Sequence, residues 1–279
     1  MSELMTIEAI QSFPVGIHRE DGFFVNLPYV GVVDAYSSPY YGKPPLVSGM
    51  TGGESIKNLV LEVFQTMTSD IIMSLEEIVM EIVDLIKRRH QISSFPGTLP
   101  GASFAFGLIE KETIKIILGG DCAVLQRRKN GETSITENQF YEIEVGLRKK
   151  FAELIKECGG DKEEAWKEFC PVLEAQRKRD VNRKYASLNG QDEVRNCWQK
   201  LEVPIAGLDF LMFFTDGLVP FGEWKDKKML EKILASICQV KGPRSILSWV
   251  RRDEIEKKGK NHVDYSEATA LLIGYNLYD

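Results

Sequence analysis

The chain has 279 residues, 43% of them hydrophobic and 27% charged. That balance excludes a disordered chain and a fibrous repeat, and the length suits one large domain, 1–279, with a core of its own. Lys and Arg number 35 against 41 Asp and Glu, a formal net charge of -6 that argues against phosphate-backbone binding across the whole surface, so no nucleic-acid partner is expected.

Within the first 50 residues, FPVGI, GFFVN and YVGVVD are rich in aromatic and β-branched residues between turn signals, which predicts antiparallel strands. From Gly53 the apolar spacing changes to three and four, predicting helices over SIKNLVLEVFQTM and SLEEIVMEIVDLIKRR. SSFPGTLPG breaks helicity, and ASFAFGLIE, TIKIILGG and CAVLQRRKNGET return to strand-like runs. A charged segment, about 137–186, is helical in pattern. LEVPIAGLDFLMFFTDGL is too apolar and too short between breakers for a surface helix, and is expected to be a buried strand. MLEKILASICQV and SILSWVRRDEIEKK follow as amphipathic helices, and ATALLIGYNLY closes the pattern as a strand. Strands in runs, without strict βαβ alternation, argue for an α+β fold with helices on the outer faces of largely antiparallel sheets.

No apolar run approaches the roughly 20 residues that span a bilayer, and MSELMTIEAIQ has acids where a signal peptide has basic residues. No membrane association and a cytoplasmic location are therefore expected. The five cysteines (Cys122, Cys158, Cys170, Cys197, Cys238) form no Cys-x-x-Cys pair and are expected to be reduced thiols. The three histidines, His18, His90 and His262, leave few routes to His-dependent nucleophilic catalysis or a soft metal site. Any chemistry then falls to carboxylates.

Three strongly apolar runs end in an aspartate followed by a small residue: YVGVVDA at Asp34, KIILGGDC at Asp121 and LMFFTDG at Asp216. Taken singly, each suits a turn in which the side chain bonds its own backbone. Glu20 and Asp21 open a strand in HREDGFFV, and Glu267 precedes the last strand in SEATALLI. Carboxylates converging from several strand ends repel one another unless they share protons or surround a cation. An oxygen-only donor set suits Mg²⁺ or Mn²⁺, and a pair of such ions suits phosphoester hydrolysis.

The order of these motifs, from about Val15 to Leu277, resembles the metal-dependent type 2C Ser/Thr protein phosphatases. GIHREDGFFV is similar to the family's first acidic motif, and VGVVDAYSSPYY with TGGESIKNLV to its Asp-Gly segment leading into the first helix. PGASFAFGLIEKETIKIILGGDCAVLQRRKNGE, DFLMFFTDGL and SEATALLIGYN resemble the later strand motifs. The resemblance implies a central sandwich of two antiparallel sheets between helix pairs (α-β-β-α layers), with two and possibly three Mg²⁺ or Mn²⁺ ions at one end. It implies that Asp34 bridges two ions, the Ala35 carbonyl binds one and Asp216 completes the second site. Glu20 would act through water, Asp21 would lie beside the metals, and Asp121 with Asp216 would hold a weaker third ion. The implied substrate is a phosphorylated protein; a monomer is expected.

The chain also departs from the family pattern. The last metal-binding aspartate aligns with Ser266, so Glu267 or Asp264 would have to substitute. Gly16 stands where the phosphate-gripping arginine is expected, leaving Arg19 as the nearby candidate, and Tyr36 replaces a histidine. A chain with these losses also suits a noncatalytic phosphatase-like regulatory or phosphoprotein-binding module. TGGES offers either a phosphate cradle at a helix start or glycines for close packing. The run RKRDVNRK at 177–184 is expected to be a solvated helix face, with Arg183 or Asn182 as the residues that would approach a substrate. Asn189-Gly190 is expected to turn, and Trp198 and Trp249 to pack.

Overall fold

The computed structural model describes residues 5–12, 19–40, 50–68, 72–90, 98–258 and 267–275. The predicted FPVGI strand, together with Gly16, His18, His262, Asp264 and Ser266, lies outside them. In chain order the strands are β1 (Met5–Ser12), β2 (Asp21–Asn26), β3 (Tyr29–Tyr36), β4 (Gly101–Ile109), β5 (Thr113–Gly119), β6 (Ala123–Arg128), β7 (Thr133–Ile135), β8 (Gln199–Pro204), β9 (Leu208–Phe214) and β10 (Ala268–Tyr275). The helices are α1 (Gly52–Thr66), α2 (Leu75–His90), α3 (Tyr141–Glu157), α4 (Lys162–Asp180), α5 (Lys227–Lys241) and α6 (Pro243–Lys258).

The strands form two five-stranded antiparallel sheets, β1-β10-β9-β6-β7 and β2-β3-β4-β5-β8. The period-2 geometry of a strand explains the layering. Val30 and Val32 of β3, Leu211 and Phe213 of β9, and Leu271 and Ile273 of β10 point into the space between the sheets. Their sequence neighbours point outward, where Phe210, Met212, Phe214, Ala270 and Leu272 meet Leu230 and Leu234 of α5 and Ile246 and Val250 of α6. On the opposite side, Phe24, Val33, Phe104 and Phe106 meet Ile56, Val60 and Phe64 of α1 and Ile78 and Ile82 of α2. Central strands buried on both faces read as continuous apolar runs, which is why LDFLMFF carries no alternation. The result is the expected α-β-β-α sandwich.

Two elements differ from the sequence expectation. LEVPIAGLDFLMFFTDGL is two strands in different sheets, not one: β8 pairs with β5 at one sheet's edge, while β9 lies between β10 and β6 in the other. Gly207, at φ 73°, makes the turn that lets the chain cross between the sheets. MTIEAIQS, for which no element is expected from the sequence, is the edge strand β1, paired along its length with β10.

The charged segment forms an antiparallel hairpin of α3 and α4 with its own small core of Leu154, Ala165 and Phe169, against which Phe151 and Trp166 pack. The Phe151 ring meets Trp166 edge-on, with centroids 5.8 Å apart, and Phe169 at 5.0 Å. Its α4 end is tied to the chain just past β3: Tyr40 donates its hydroxyl to Glu174 at 2.8 Å, and Arg177 donates to the Ser37 carbonyl at 2.8 Å. Helix ties of this kind place the hairpin over one end of the sandwich.

Candidate active site

At that end the two sheets deliver acids toward one another. Asp21 opens β2 and stands directly opposite Asp34 of β3, which in turn faces Ser103 of β4. Asp34 therefore sits inside its strand rather than after it. Asp121 follows β5 and donates its backbone N–H to the Ser103 hydroxyl at 3.4 Å. From the other sheet, Asp216 follows β9 directly after Thr215, whose hydroxyl donates to the Asp21 carboxylate at 2.6 Å. Thr215 also accepts the Thr269 N–H at 3.0 Å, so one buried hydroxyl joins β9, β10 and β2.

The electrostatics follow from this crowding. Burial raises the Asp21 carboxyl to about 7; the Thr215 hydroxyl works against that rise and the Glu267 charge adds to it. Burial raises Asp34 well above the usual carboxylate range, and Asp21, Asp216 and Asp121 push it further. Asp216 is raised in the same way, by burial first and then by Asp121, Glu144 and Asp21. Asp121 is raised by burial, with the Ser103 hydroxyl opposing. Four acids from two sheets thus act on one another as a single unit.

Beside them lies a cavity of about 290 Å³ whose walls include Asp34, Asp121, Tyr36, Ser103, Arg148 and Arg177. The hairpin supplies both arginines. Arg177 stacks over the Tyr36 ring with 4.3 Å to the centroid, and the Tyr36 hydroxyl shares a 2.8 Å hydrogen bond with Ser187. Arg148 is committed to Glu144 at 2.5 Å and lies over Phe221.

No protein-family profile matches the chain, and no curated protein matches it. Solved structures do. The Mycobacterium tuberculosis serine/threonine phosphatase PstP superposes with a TM-score of 0.59 at 13% identity, covering 97% of this chain and 98% of that one. The PstP catalytic domain in complex with two manganese ions gives 0.58 at 13% identity, with 97% of each chain covered. PppA, a regulatory component of the type VI secretion system in Pseudomonas aeruginosa, gives 0.56 at 12% identity and again 97% of each. The fold is that of the serine/threonine protein phosphatases.

On this phosphatase fold, Asp21, Asp34, Asp121 and Asp216 come together as the sequence leads one to expect, while the remaining candidates sit around them. Glu267 lies at the entry to β10, where its Oε2 accepts the backbone N–H groups of Glu20 at 2.7 Å and Asp21 at 2.5 Å. Glu20 turns toward α1, accepting hydroxyl hydrogen bonds from Ser37 and, at 2.6 Å, from Thr51. A Cβ at Gly53 would meet that carboxylate at 2.6 Å. The anion at the start of α1 is thus the chain's own Glu20, so TGGES serves close packing and not a phosphate cradle, and Thr51 caps the helix by accepting the Glu54 N–H. Ala35 donates its N–H to the Glu20 carbonyl at 3.2 Å. Arg19 is exposed and, among the described residues, is not part of the cavity wall; its carbonyl accepts from Lys57.

Among the described residues no three acids, cysteines or histidines are already set around a common metal position. The donor chemistry nevertheless fits a hard divalent cation. Every acid supplies oxygen only, and both Asp121 Oδ1 and Glu267 Oε1 are buried without a hydrogen-bond partner. A divalent cation held among these carboxylates would offset the mutual repulsion that raises them.

Asn182, one of the residues expected to approach a substrate, is buried instead and bonds Asn189 at 2.9 Å and the Ser187 N–H at 2.8 Å. Asn182, at φ 55°, turns the chain toward Tyr185, whose carbonyl accepts the Asn182 N–H at 2.8 Å, and Gly190, at φ 88°, makes the separate turn expected at Asn189-Gly190. Of the run's five basic residues, Arg179 and Lys184 pair with the buried Asp180 and Lys178 and Arg183 are exposed; α4 ends at Asp180, so only the first half of the run is the expected helix face. Trp198 and Trp249 pack against the two helix-facing cores, as expected. Thr215, Ser103 and Arg177 were not singled out by the sequence. The signals available were a hydroxyl residue immediately before Asp216 and a run of three basic residues ending α4.

Proposed function

We propose that the chain is a divergent type 2C phosphatase that hydrolyses phosphoserine or phosphothreonine in proteins, using Mg²⁺ or Mn²⁺, and that it works as a cytoplasmic monomer. The observation that carries this reading is the meeting of Asp21, Asp34, Asp121 and Asp216 from both sheets at one end of a phosphatase sandwich. Asp34, with the carbonyl of Ala35, and Asp216 would hold the two principal ions; Asp21 and Glu267 flank them, and Asp121 with Asp216 would hold a third. Bound there, such ions activate water and neutralise charge on phosphoryl oxygens. The protein's own contribution is orientation. Thr215 fixes Asp21, and Glu267 fixes the backbone of Glu20 and Asp21, so Asp21 enters the site from a hydrogen-bonded strand position beside Asp34. Tyr36, with its hydroxyl engaged by Ser187 and its phenol raised by burial, stays neutral beside the cavity.

The test is metal stoichiometry by calorimetric titration of chelator-treated protein with Mn²⁺. Two ions per chain are expected for the wild type, and Asp34→Asn is expected to abolish binding and turnover together. Full phosphatase activity in Asp34→Asn would refute the assignment. The second reading, a phosphatase-like module without catalysis, draws on the commitment of Glu267 Oε2 to two backbone N–H groups. It predicts phosphoprotein binding with no turnover under any metal.

A further inference from the structure

The site proposed above must accept a phosphate dianion among several carboxylates, and beside the ions proposed there a fixed side-chain cation facing the same space would orient it. Arg19 does not line the cavity; two arginines of the α3–α4 hairpin do. Of these, Arg148 is already paired with Glu144, bonded through both Nε and a terminal nitrogen. Arg177 differs. It is half-buried, stacked face-on against Tyr36, and held by one hydrogen bond from NH1 to the Ser37 carbonyl. Among the described residues no carboxylate lies within 4.0 Å of it, whereas Arg179 and Lys184 of the same run both pair with Asp180. A guanidinium has five N–H donors in a rigid fork that matches two phosphate oxygens, and the Ser37 bond engages NH1 alone.

We propose that Arg177 is the substrate-phosphate ligand of this protein, supplied by the helical hairpin in place of an arginine from the start of β2. The Tyr36 ring and the Ser37 carbonyl hold the guanidinium at the cavity wall that also carries Asp34 and Asp121. The phosphoryl oxygens of a phosphoserine or phosphothreonine side chain would then be shared between the cations that the acid cluster would hold and the remaining donors of Arg177. Seated on α4, this cation also links phosphate capture to the position of the hairpin.

The inference rests on the phosphatase reading for its substrate but not for its readout, because phosphate binding is measured without turnover. Inorganic phosphate is titrated calorimetrically into Mn²⁺-loaded wild type, Arg177→Met, Arg177→Lys and Arg19→Met, with melting temperatures recorded for all four. Wild type is expected to bind phosphate. Arg177→Met is expected to weaken it by about tenfold or more, the scale of losing a charge-assisted bidentate contact, and Arg177→Lys by less, since the charge remains without the fork. Where turnover occurs, the same variants should raise KM for a phosphothreonine peptide more than they lower kcat. Unchanged phosphate affinity in a folded Arg177→Met, no phosphate binding by wild type, or loss of binding in Arg19→Met instead would each overturn the assignment. Phosphate binding that depends on Arg177 in a protein without turnover would uphold it while refuting catalysis.

Discussion

Replacing Thr215 by Val tests how the site is held together. The two side chains have nearly the same shape, so the change opens no cavity; it removes one hydroxyl. That hydroxyl donates to Asp21 at 2.6 Å and accepts the Thr269 N–H at 3.0 Å, in a position with no solvent exposure. Losing a hydrogen bond to a charged group costs about 1.5–3 kcal/mol, and leaving the Thr269 N–H unpaired costs a further 1–3, so a total near 3 kcal/mol is expected at pH 8. At about 2–4 °C per kcal/mol for a chain of this size, the melting temperature falls by roughly 6–12 °C. The pH dependence is the sharper signature. The Thr215 bond favours ionised Asp21, whose carboxyl sits near 7, so at pH 5 the lost bond is one to a neutral acid and the cost drops to about 2 kcal/mol. Chemical denaturation of the chelator-treated protein at both pH values measures the difference. A cost below about 1 kcal/mol, or one equal at pH 5 and pH 8, would refute the reasoning.

Two further predictions use the same electrostatics. Asp21, Asp34, Asp121 and Asp216 are all raised above the ordinary carboxylate value, so the folded metal-free protein binds more protons than the unfolded chain between the two values. Its stability is therefore fullest in mild acid and falls as pH rises toward 7, by up to about 1.4 kcal/mol per pH unit for each extra proton held; Mn²⁺ should flatten that slope, and a chelator-treated protein whose melting temperature rises from pH 5 to pH 8 would contradict it. Glu267→Gln keeps an acceptor for the Glu20 and Asp21 N–H groups but removes a charge that raises Asp21. Thermal melts with and without Mn²⁺ should then show a metal-free protein that is more stable at pH 8 and a weaker gain from Mn²⁺, two effects of opposite sign.

The sandwich was legible because central strands buried on both faces leave uninterrupted apolar runs, and because helix-facing residues recur every three or four positions in SIKNLVLEVFQTM and MLEKILASICQV. The aspartates stood out for a related reason: each follows or closes such a run, where a charge contrasts with its surroundings. β1 was missed because edge pairing leaves its residues half-buried, so its sequence lacks a continuous apolar stretch. The β8–β9 split was missed because one small turn at Gly207 separates strands of different sheets without breaking the apolar pattern. Thr215 and Arg177 are not legible locally. The first matters through residues 194 and 54 positions away, and the second is one of five basic residues in a run, two of which pair with Asp180. Long-range pairing decides such roles, and a single sequence does not encode it in neighbouring positions.

The central claim is that the acid cluster is a metal-dependent hydrolytic site, and its most direct test is hydrolysis of a phosphothreonine peptide by wild type and Asp216→Asn, each with Mn²⁺ and with chelator. Turnover is expected from wild type with Mn²⁺ and not with chelator, and its loss is expected in Asp216→Asn even at saturating metal. Equal turnover with and without chelator, or an Asp216→Asn variant as active as wild type, would contradict it.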